Sequence, residues 1–216
     1  MLVSRVQKAE NRDAPPSAHE RPMLNRYVPA LPRLETRRLV LRVPMPADAA
    51  ALAAFVTANR EHFAEWDPVR DETFYTVDGS RSRLELMLQE AVAGRSLPLV
   101  LSRKHDPDQA IIGQCTFSGI AGYPFFAAYL GYGLDYRFVG QGLMSEALRA
   151  AIDYCFDTLN LHRIMANHLP TNVRSANVLR RLGFVPEGYA RDYLLIAGRW
   201  QDHVLTALTN PRWNPG

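Results

Sequence analysis

From Thr36 onward the chain switches between two hydrophobic periods, and their order predicts its elements. Thr36 to Val43 (TRRLVLRV) shows the close apolar alternation of a strand. Pro44 and Pro46 stop it, and Asp48 stands where a helix carrying Ala51, Leu52, Phe55 and Val56 needs an N-cap. A second helix is predicted over Ser80 to Ala93, with Leu84, Met87, Leu88 and Ala91 on one face and Gly94 as its stop. Leu97 to Ser102 and Ile111 to Ser118 read as two strands of a hairpin around the turn-rich Lys104 to Gln109. Tyr129 to Leu134 is a further strand. After Gly140 and Gly142, apolar residues recur at Leu143, Ala147, Leu148, Ala151, Ile152, Cys155, Phe156 and Leu159, a helical period over four turns. His162 to Asn167 gives a strand, Arg174 to Leu182 a short helix closed by Gly183, and Tyr189 to Ile196 and Trp200 to Leu208 two strands across Ala197-Gly198-Arg199. The succession is that of an α/β chain with a mixed sheet and no internal repeat.

Residues 1–32 break this pattern: Pro15, Pro16, Pro22, Pro29 and Pro32 lie among scattered charges with neither period, so a loosely ordered arm is expected before a single domain over 33–216. Composition agrees with one folded domain, since 47% hydrophobic and 22% charged residues in 216 exclude disorder or coiled coil as a whole-chain description. No run approaches the roughly 18 apolar residues that would span a bilayer. Arg5, Lys8, Glu10, Arg12 and Asp13 stand where a signal peptide would need an apolar segment, so a cytoplasmic protein without a membrane partner is expected. The net charge of +3 is too small to argue nucleic-acid binding. Cys115 and Cys155 lie far apart with no CxxC or Cys/His cluster, which predicts buried free thiols and no metal site.

The chemistry concentrates in Arg137-Phe-Val-Gly140-Gln-Gly142-Leu143. Glycines immediately before a helix let a ligand approach the main chain and aim unpaired N–H groups at it, with the helix dipole adding to the pull on an anion. By itself the spacing is a weak signal, since a glycine pair before a helix is more often a tight turn. It is neither the P-loop, which needs Gly-Lys-Ser/Thr, nor the dinucleotide fingerprint, which needs a third glycine.

A second segment, Pro170-Thr-Asn172-Val-Arg-Ser175-Ala-Asn177 through Gly183-Phe184, follows the next strand, and together the two resemble the acetyl-CoA-binding core of GNAT-family N-acetyltransferases. The resemblance extends to the RimJ/RimL ribosomal-protein branch of that family. It is carried by Trp66-Asp-Pro-Val-Arg-Asp-Glu72, Tyr129-Leu-Gly-Tyr-Gly133, Gln141-Gly-Leu-Met144, His162-Arg-Ile-Met-Ala-Asn167, Gly188-Tyr-Ala-Arg-Asp-Tyr-Leu-Leu-Ile196 and Asp202-His-Val-Leu-Thr-Ala-Leu-Thr209. It covers about residues 26–216 and leaves the first 25 without a counterpart.

The resemblance implies the GNAT fold, a mixed, mostly antiparallel sheet of about seven strands with about four helices, and acetyl-CoA as cosubstrate without a metal. Pantetheine is expected along Tyr132, Gly133 and Leu134, with a main-chain N–H near Leu134 as oxyanion donor. The pyrophosphate is expected on Arg137, Phe138, Val139, Gly140, Gln141, Gly142 and Leu143, with Asn172 and Ser175 as further cofactor contacts. Many family members place a tyrosine proton donor where this chain has Leu179, so Ser175 becomes the candidate donor; Asn172 and Ser175 would equally make a simple helix cap. A family Glu position falls on Asn167, which cannot take a proton, leaving Asp192 as the nearest acidic candidate and Glu146 as a weaker one. Trp66 and Tyr193 are the candidate acceptor contacts. The implied acceptor is the N-terminal α-amine of a protein, alanine on a small-subunit ribosomal protein in particular, handled by a monomer or homodimer with no direct nucleic-acid contact. A GNAT enzyme for a small amine, or a noncatalytic acyl-CoA-binding module, would share the same cofactor motifs.

Overall fold

The computed structural model describes residues 31–214; the expected arm over 1–32 lies almost wholly outside them. Eight strands form one sheet: β1 (Arg33–Glu35), β2 (Leu39–Arg42), β3 (Ser96–Arg103), β4 (Gly113–Ala121), β5 (Ala127–Leu134), β6 (Arg163–Met165), β7 (Val185–Ile196) and β8 (Arg199–Thr209). Their order is β1-β2-β3-β4-β5-β6-β8-β7, and the β5–β6 pair alone is parallel. The helices are α1 (Ala49–Ala58), the short α2 (Arg60–Ala64), α3 (Val77–Val92), α4 (Leu143–Asp157) and α5 (Val173–Arg181).

Both faces of the sheet are covered around its central strands. Leu97, Leu99 and Leu101 of β3 enter a core with Leu143, Ala147, Leu148, Ala151 and Cys155 of α4. Val100, on the opposite pleat, joins Leu52, Phe55 and Val56 of α1 and Leu84 of α3. This two-sided burial is why β3 reads as an almost unbroken apolar run. Full burial of Leu148 implies a cost of about 2–5 kcal/mol for truncation to alanine.

Several expected boundaries shift, each for a local reason. The strand expected over 36–43 shortens to β2, because Thr36 Oγ1 and N–H close a turn onto Leu39; the unexpected β1 before that turn pairs with β2 and adds an eighth strand to the expected seven. Asp48 precedes α1 as expected, but its carboxylate is taken by Arg42 at 2.7 and 2.6 Å and by the Met45 N–H at 2.7 Å. Helix α3 starts at Val77 rather than Ser80, because Thr76 Oγ1 accepts from the Gly79 N–H at 3.0 Å. Strand β7 starts at Val185: Pro186 and Gly188 resemble a break, yet β7 is an edge strand, where a missing N–H and a bulge are tolerated. Its turn to β8 sets both Ala197 (φ 48°) and Gly198 (φ 77°) left-handed, as a two-residue hairpin requires.

One register decides where a ligand can go. β6 has only three residues and pairs with Ala127, Ala128 and Tyr129 at the start of β5. From Leu130 to Leu134, β5 keeps β4 on one side and has no strand on the other. The sheet therefore opens between β5 and β6, toward the start of α4.

Candidate active site

A cavity of about 590 Å³ fills that opening. Its floor is Gly131 to Leu134 of β5, and one wall is the glycine loop with the first turn of α4. A second wall is the start of α5, and the third is α2 with the segment from Trp66 to Arg70. The Asp135 N–H donates at 2.8 Å to the carbonyl of Ile112, the residue just before β4. Because main-chain groups alternate sides along a strand, those of Tyr132 and Leu134 face the opening, where a ligand can pair with β5 as a missing strand would.

The glycine loop is held from beneath. Asp135, fully buried, receives Arg137 through the side chain at 2.9 and 2.6 Å and through its N–H at 2.9 Å. Burial pushes the Asp135 carboxyl up, but the Arg137 hydrogen bonds outweigh it and hold the group below the usual range. The Tyr136 N–H donates to Asn59 Oδ1 at 2.9 Å, anchoring the loop to the α1–α2 junction. Gly140 (φ 83°) and Gly142 (φ 73°) are left-handed, and a Cβ on Gly140 would meet nothing within 4 Å, so the main chain lies open. In α4 the first backbone bond is Glu146 N–H to Gly142 carbonyl, which leaves the N–H groups of Leu143, Met144 and Ser145 free at the cavity. Arg70, Arg174 and Arg181 add cationic side chains to the lining. Main-chain donors, open glycines and cations suit a pyrophosphate carried on an extended arm. The fold thus fits the expected cosubstrate.

Tyr132 and Ser175 meet inside this cavity, Oη to Oγ at 2.8 Å. Burial pushes the Tyr132 phenol up to about 12, so it holds its proton at neutral pH and can donate it. Leu179, where many relatives would carry a tyrosine, is buried in the core at 1% exposure. A phenol is present all the same, delivered from β5 instead of α5. Asn172 caps α5 by accepting the Ser175 main-chain N–H at 3.0 Å, so the cap and the Ser175 hydroxyl are independent.

A match to the model of the acetyltransferase (GNAT) domain covers residues 38–185. The chain belongs to the GNAT acetyltransferase family. It is an acetyl-CoA-dependent N-acetyltransferase, and the proteins it is similar to include ones of the RimJ/RimL kind. It is 48% identical over 185 residues to the ribosomal protein uS5-alanine N-acetyltransferase of Escherichia coli, covering 85% of this chain and 94% of that one. The structure of ribosomal-protein-S5-alanine acetyltransferase from Vibrio fischeri superimposes with a TM-score of 0.81 at 38% identity, covering 85% of this chain and all of that one. RimJ of Mycobacterium smegmatis in complex with CoA-disulfide gives 0.78 at 30% identity, covering 88% and 91%.

Of the expected contacts, Tyr132, Gly133, Leu134, Val139, Gly140, Gly142, Leu143, Asn172, Ser175 and Trp66 line the acetyltransferase cavity. The side chains of Arg137, Phe138 and Gln141 do not. Arg137 is spent on Asp135, Phe138 packs on the core, and Gln141 offers its carbonyl to Arg38 at 3.0 Å. Asn167 lies beneath the β7–β8 hairpin, donating to Tyr193 Oη at 3.2 Å and accepting from the Thr206 N–H at 3.4 Å. Asp192 is exposed on the β7 bulge at φ 47°, its N–H given to Asp202 at 2.9 Å. Neither these two nor Tyr193 reaches the lining. Glu146 is committed to Thr36 and Arg38. His162 stacks edge-on against Trp213, and His168 Nδ1 lies 2.9 Å from the Leu169 carbonyl, so neither is part of the site.

His62, Asp67, Arg70 and Arg174 were not anticipated. Burial, with Arg174 second, holds His62 below its usual range, and burial raises Asp67 against the pull of Arg70. Asp67, Arg70 and Arg174 lie within motifs that carry the family resemblance, but nothing in those motifs singles out their side chains. Among the described residues no group of His, Cys, Asp and Glu could hold a metal, and no helix is long and apolar enough to cross a membrane.

Proposed function

We propose that this acetyltransferase acts on the N-terminal α-amine of a protein whose first residue is small, with alanine of a ribosomal protein as the principal acceptor. The observation that carries this reading is the 48% identity, over nearly the full length, to an enzyme named for alanine of ribosomal protein uS5.

The chemistry of the cavity supports it. Bound acetyl-CoA supplies a thioester carbonyl. The Leu134 main-chain N–H faces the opening and can donate to the oxygen of that carbonyl as charge builds there, and the Tyr132 and Ser175 hydroxyls can protonate the departing sulfur. An α-amine titrates near 7.7–8.0 and a lysine side chain near 10.4, so at neutral pH the α-amine presents on the order of a hundredfold more of its nucleophilic form. A site with modest basic equipment therefore favours an N-terminus.

The test is an acetyl-CoA assay on peptides beginning with Ala, Ser, Thr or Met, each carrying an internal lysine, read by mass spectrometry. The acetyl group is expected on the N-terminus, fastest with Ala. Label on the lysine, or equal rates for free and N-terminally blocked peptides, would overturn the reading, and acetylation of polyamines alone would replace it with the small-amine alternative.

A further inference from the structure

We propose that Asp67 takes the proton from the attacking α-amine, which makes it the catalytic base that the expected positions do not provide. The inference rests on the protein N-terminus being the acceptor.

Asp67 is the one carboxylate among the residues lining the cavity. The other acids around the site are committed elsewhere. Asp135 holds Arg137, Glu146 holds Arg38, Asp202 accepts from Tyr189 Oη at 2.8 Å and from Asp192, and Asp192 itself stands outside. Among the described residues the Asp67 carboxylate accepts no hydrogen bond and makes no ion pair, although its backbone is fixed at both ends. Its N–H donates to the Phe63 carbonyl at 2.9 Å, and its carbonyl accepts the Ala197 N–H at 3.0 Å from the tip of the β7–β8 hairpin. A half-buried carboxylate held rigidly and left unpartnered is costly for a purely structural residue, and it suits one whose partner arrives with the substrate.

The titratable and charged groups that share the cavity are Arg70 on the same segment, His62 on α2, Tyr132 on β5, and Arg174 and Arg181 on α5. Burial moves Asp67 upward, toward the pH at which a base both stays ionised and binds a proton firmly. In the step, the lone pair of the unprotonated amine forms the C–N bond while the carbonyl π pair moves to oxygen. The nitrogen, now cationic, gives its proton to Asp67. The oxygen pair then re-forms the carbonyl, the C–S bond breaks onto sulfur, and the hydroxyl pair protonates the thiolate. A proton is taken at one wall of the cavity and supplied at another.

The experiment follows kcat against pH for the whole enzyme with saturating acetyl-CoA and an alanine-starting, lysine-free peptide. Wild type should fall on the acid side and level off above it. Asp67→Asn should lose on the order of a hundredfold in kcat and keep rising with pH as hydroxide substitutes. Its acetyl-CoA affinity by calorimetry should stay within about twofold, and its melting temperature should equal or exceed that of wild type, because an unpaired charge has been removed. Asp67→Ser provides the same reading if the asparagine variant does not fold. Full turnover in these variants, or an acid limb that survives in them and disappears instead in His62→Gln, overturns the assignment while the N-terminal acceptor stands. A wild-type enzyme inactive on every peptide overturns both.

Discussion

Tyr132 on β5 and Ser175 in the first turn of α5 face each other across the cavity, hydroxyl to hydroxyl at 2.8 Å. They come from segments 43 positions apart and join the strand that a ligand would pair with to the helix on the far side of the opening.

If the two hydroxyls act as one proton-donating unit, Tyr132→Phe and Ser175→Ala should each lower kcat by on the order of a hundredfold and change acetyl-CoA affinity little. The double variant should be scarcely worse than either single one. The Ser175 substitution leaves the Asn172 cap intact, since that cap uses the main-chain N–H, so the melting temperature should hold. Steady-state kinetics with calorimetry decides it: unchanged kcat in both variants would reduce the pair to a structural contact.

The shape of the glycine loop was legible in the sequence, because a glycine pair before a periodic helix favours a left-handed backbone; its reading as a cofactor site came from the family resemblance. Gly140 and Gly142 are left-handed as the loop demands, and Asn172 caps α5 as its spacing suggests. The acceptor side was not. Asp67 and His62 acquire their character from burial between α2, α5 and the β7–β8 tip, which local sequence does not encode. The Tyr132 donor was hidden for a related reason: its role depends on a contact between distant elements, whereas the sequence offered only the leucine at 179 where a tyrosine was looked for. Asn167 and Asp192 illustrate the converse, with sequence positions near the chemistry but side chains turned under or outside the final hairpin.

The two glycine environments give separable outcomes. At Gly142 (φ 73°) any Cβ forces a left-handed L-residue, so Gly142→Val should lose about 1–2 kcal/mol of stability as well as acetyl-CoA affinity. Gly131 has no such φ, lines the cavity, and a Cβ there meets nothing within 4 Å. Gly131→Val should therefore melt like wild type while activity drops at least tenfold. A Gly131 variant that is fully active would mean that productive ligands do not approach this part of β5.

Cys115 and Cys155 are wholly buried, and burial pushes the Cys115 thiol up to about 12 and Cys155 well above its ordinary range. Both should resist N-ethylmaleimide at pH 8 in the native enzyme and react fully in guanidinium, as counted by intact-mass spectrometry. Rapid native labelling of either would show that the core opens far more readily than its packing implies.

The last relationship joins the β1–β2 turn to the cavity. Glu146 accepts from Thr36 Oγ1 at 2.6 Å, from the Arg38 N–H at 2.8 Å and from Arg38 Nε at 2.7 Å, while Arg38 also donates to the Gln141 carbonyl inside the glycine loop. Burial works to raise the Glu146 carboxyl, but the Thr36 and Arg38 hydrogen bonds prevail and hold it low. A carboxylate held low in the fold contributes stability that is complete above its unfolded value of about 4.3 and fades as pH falls through its folded value. Glu146→Gln should accordingly cost about 1 kcal/mol at pH 7 and weaken acetyl-CoA through the loosened loop. The stability gap to wild type should stay constant down to about pH 5 and close only below about pH 4. Urea midpoints across that range test the sign directly: a gap that closes between pH 7 and 5.5 would mean that Glu146 titrates high, and the brace under the loop would not be the ionic one the geometry describes.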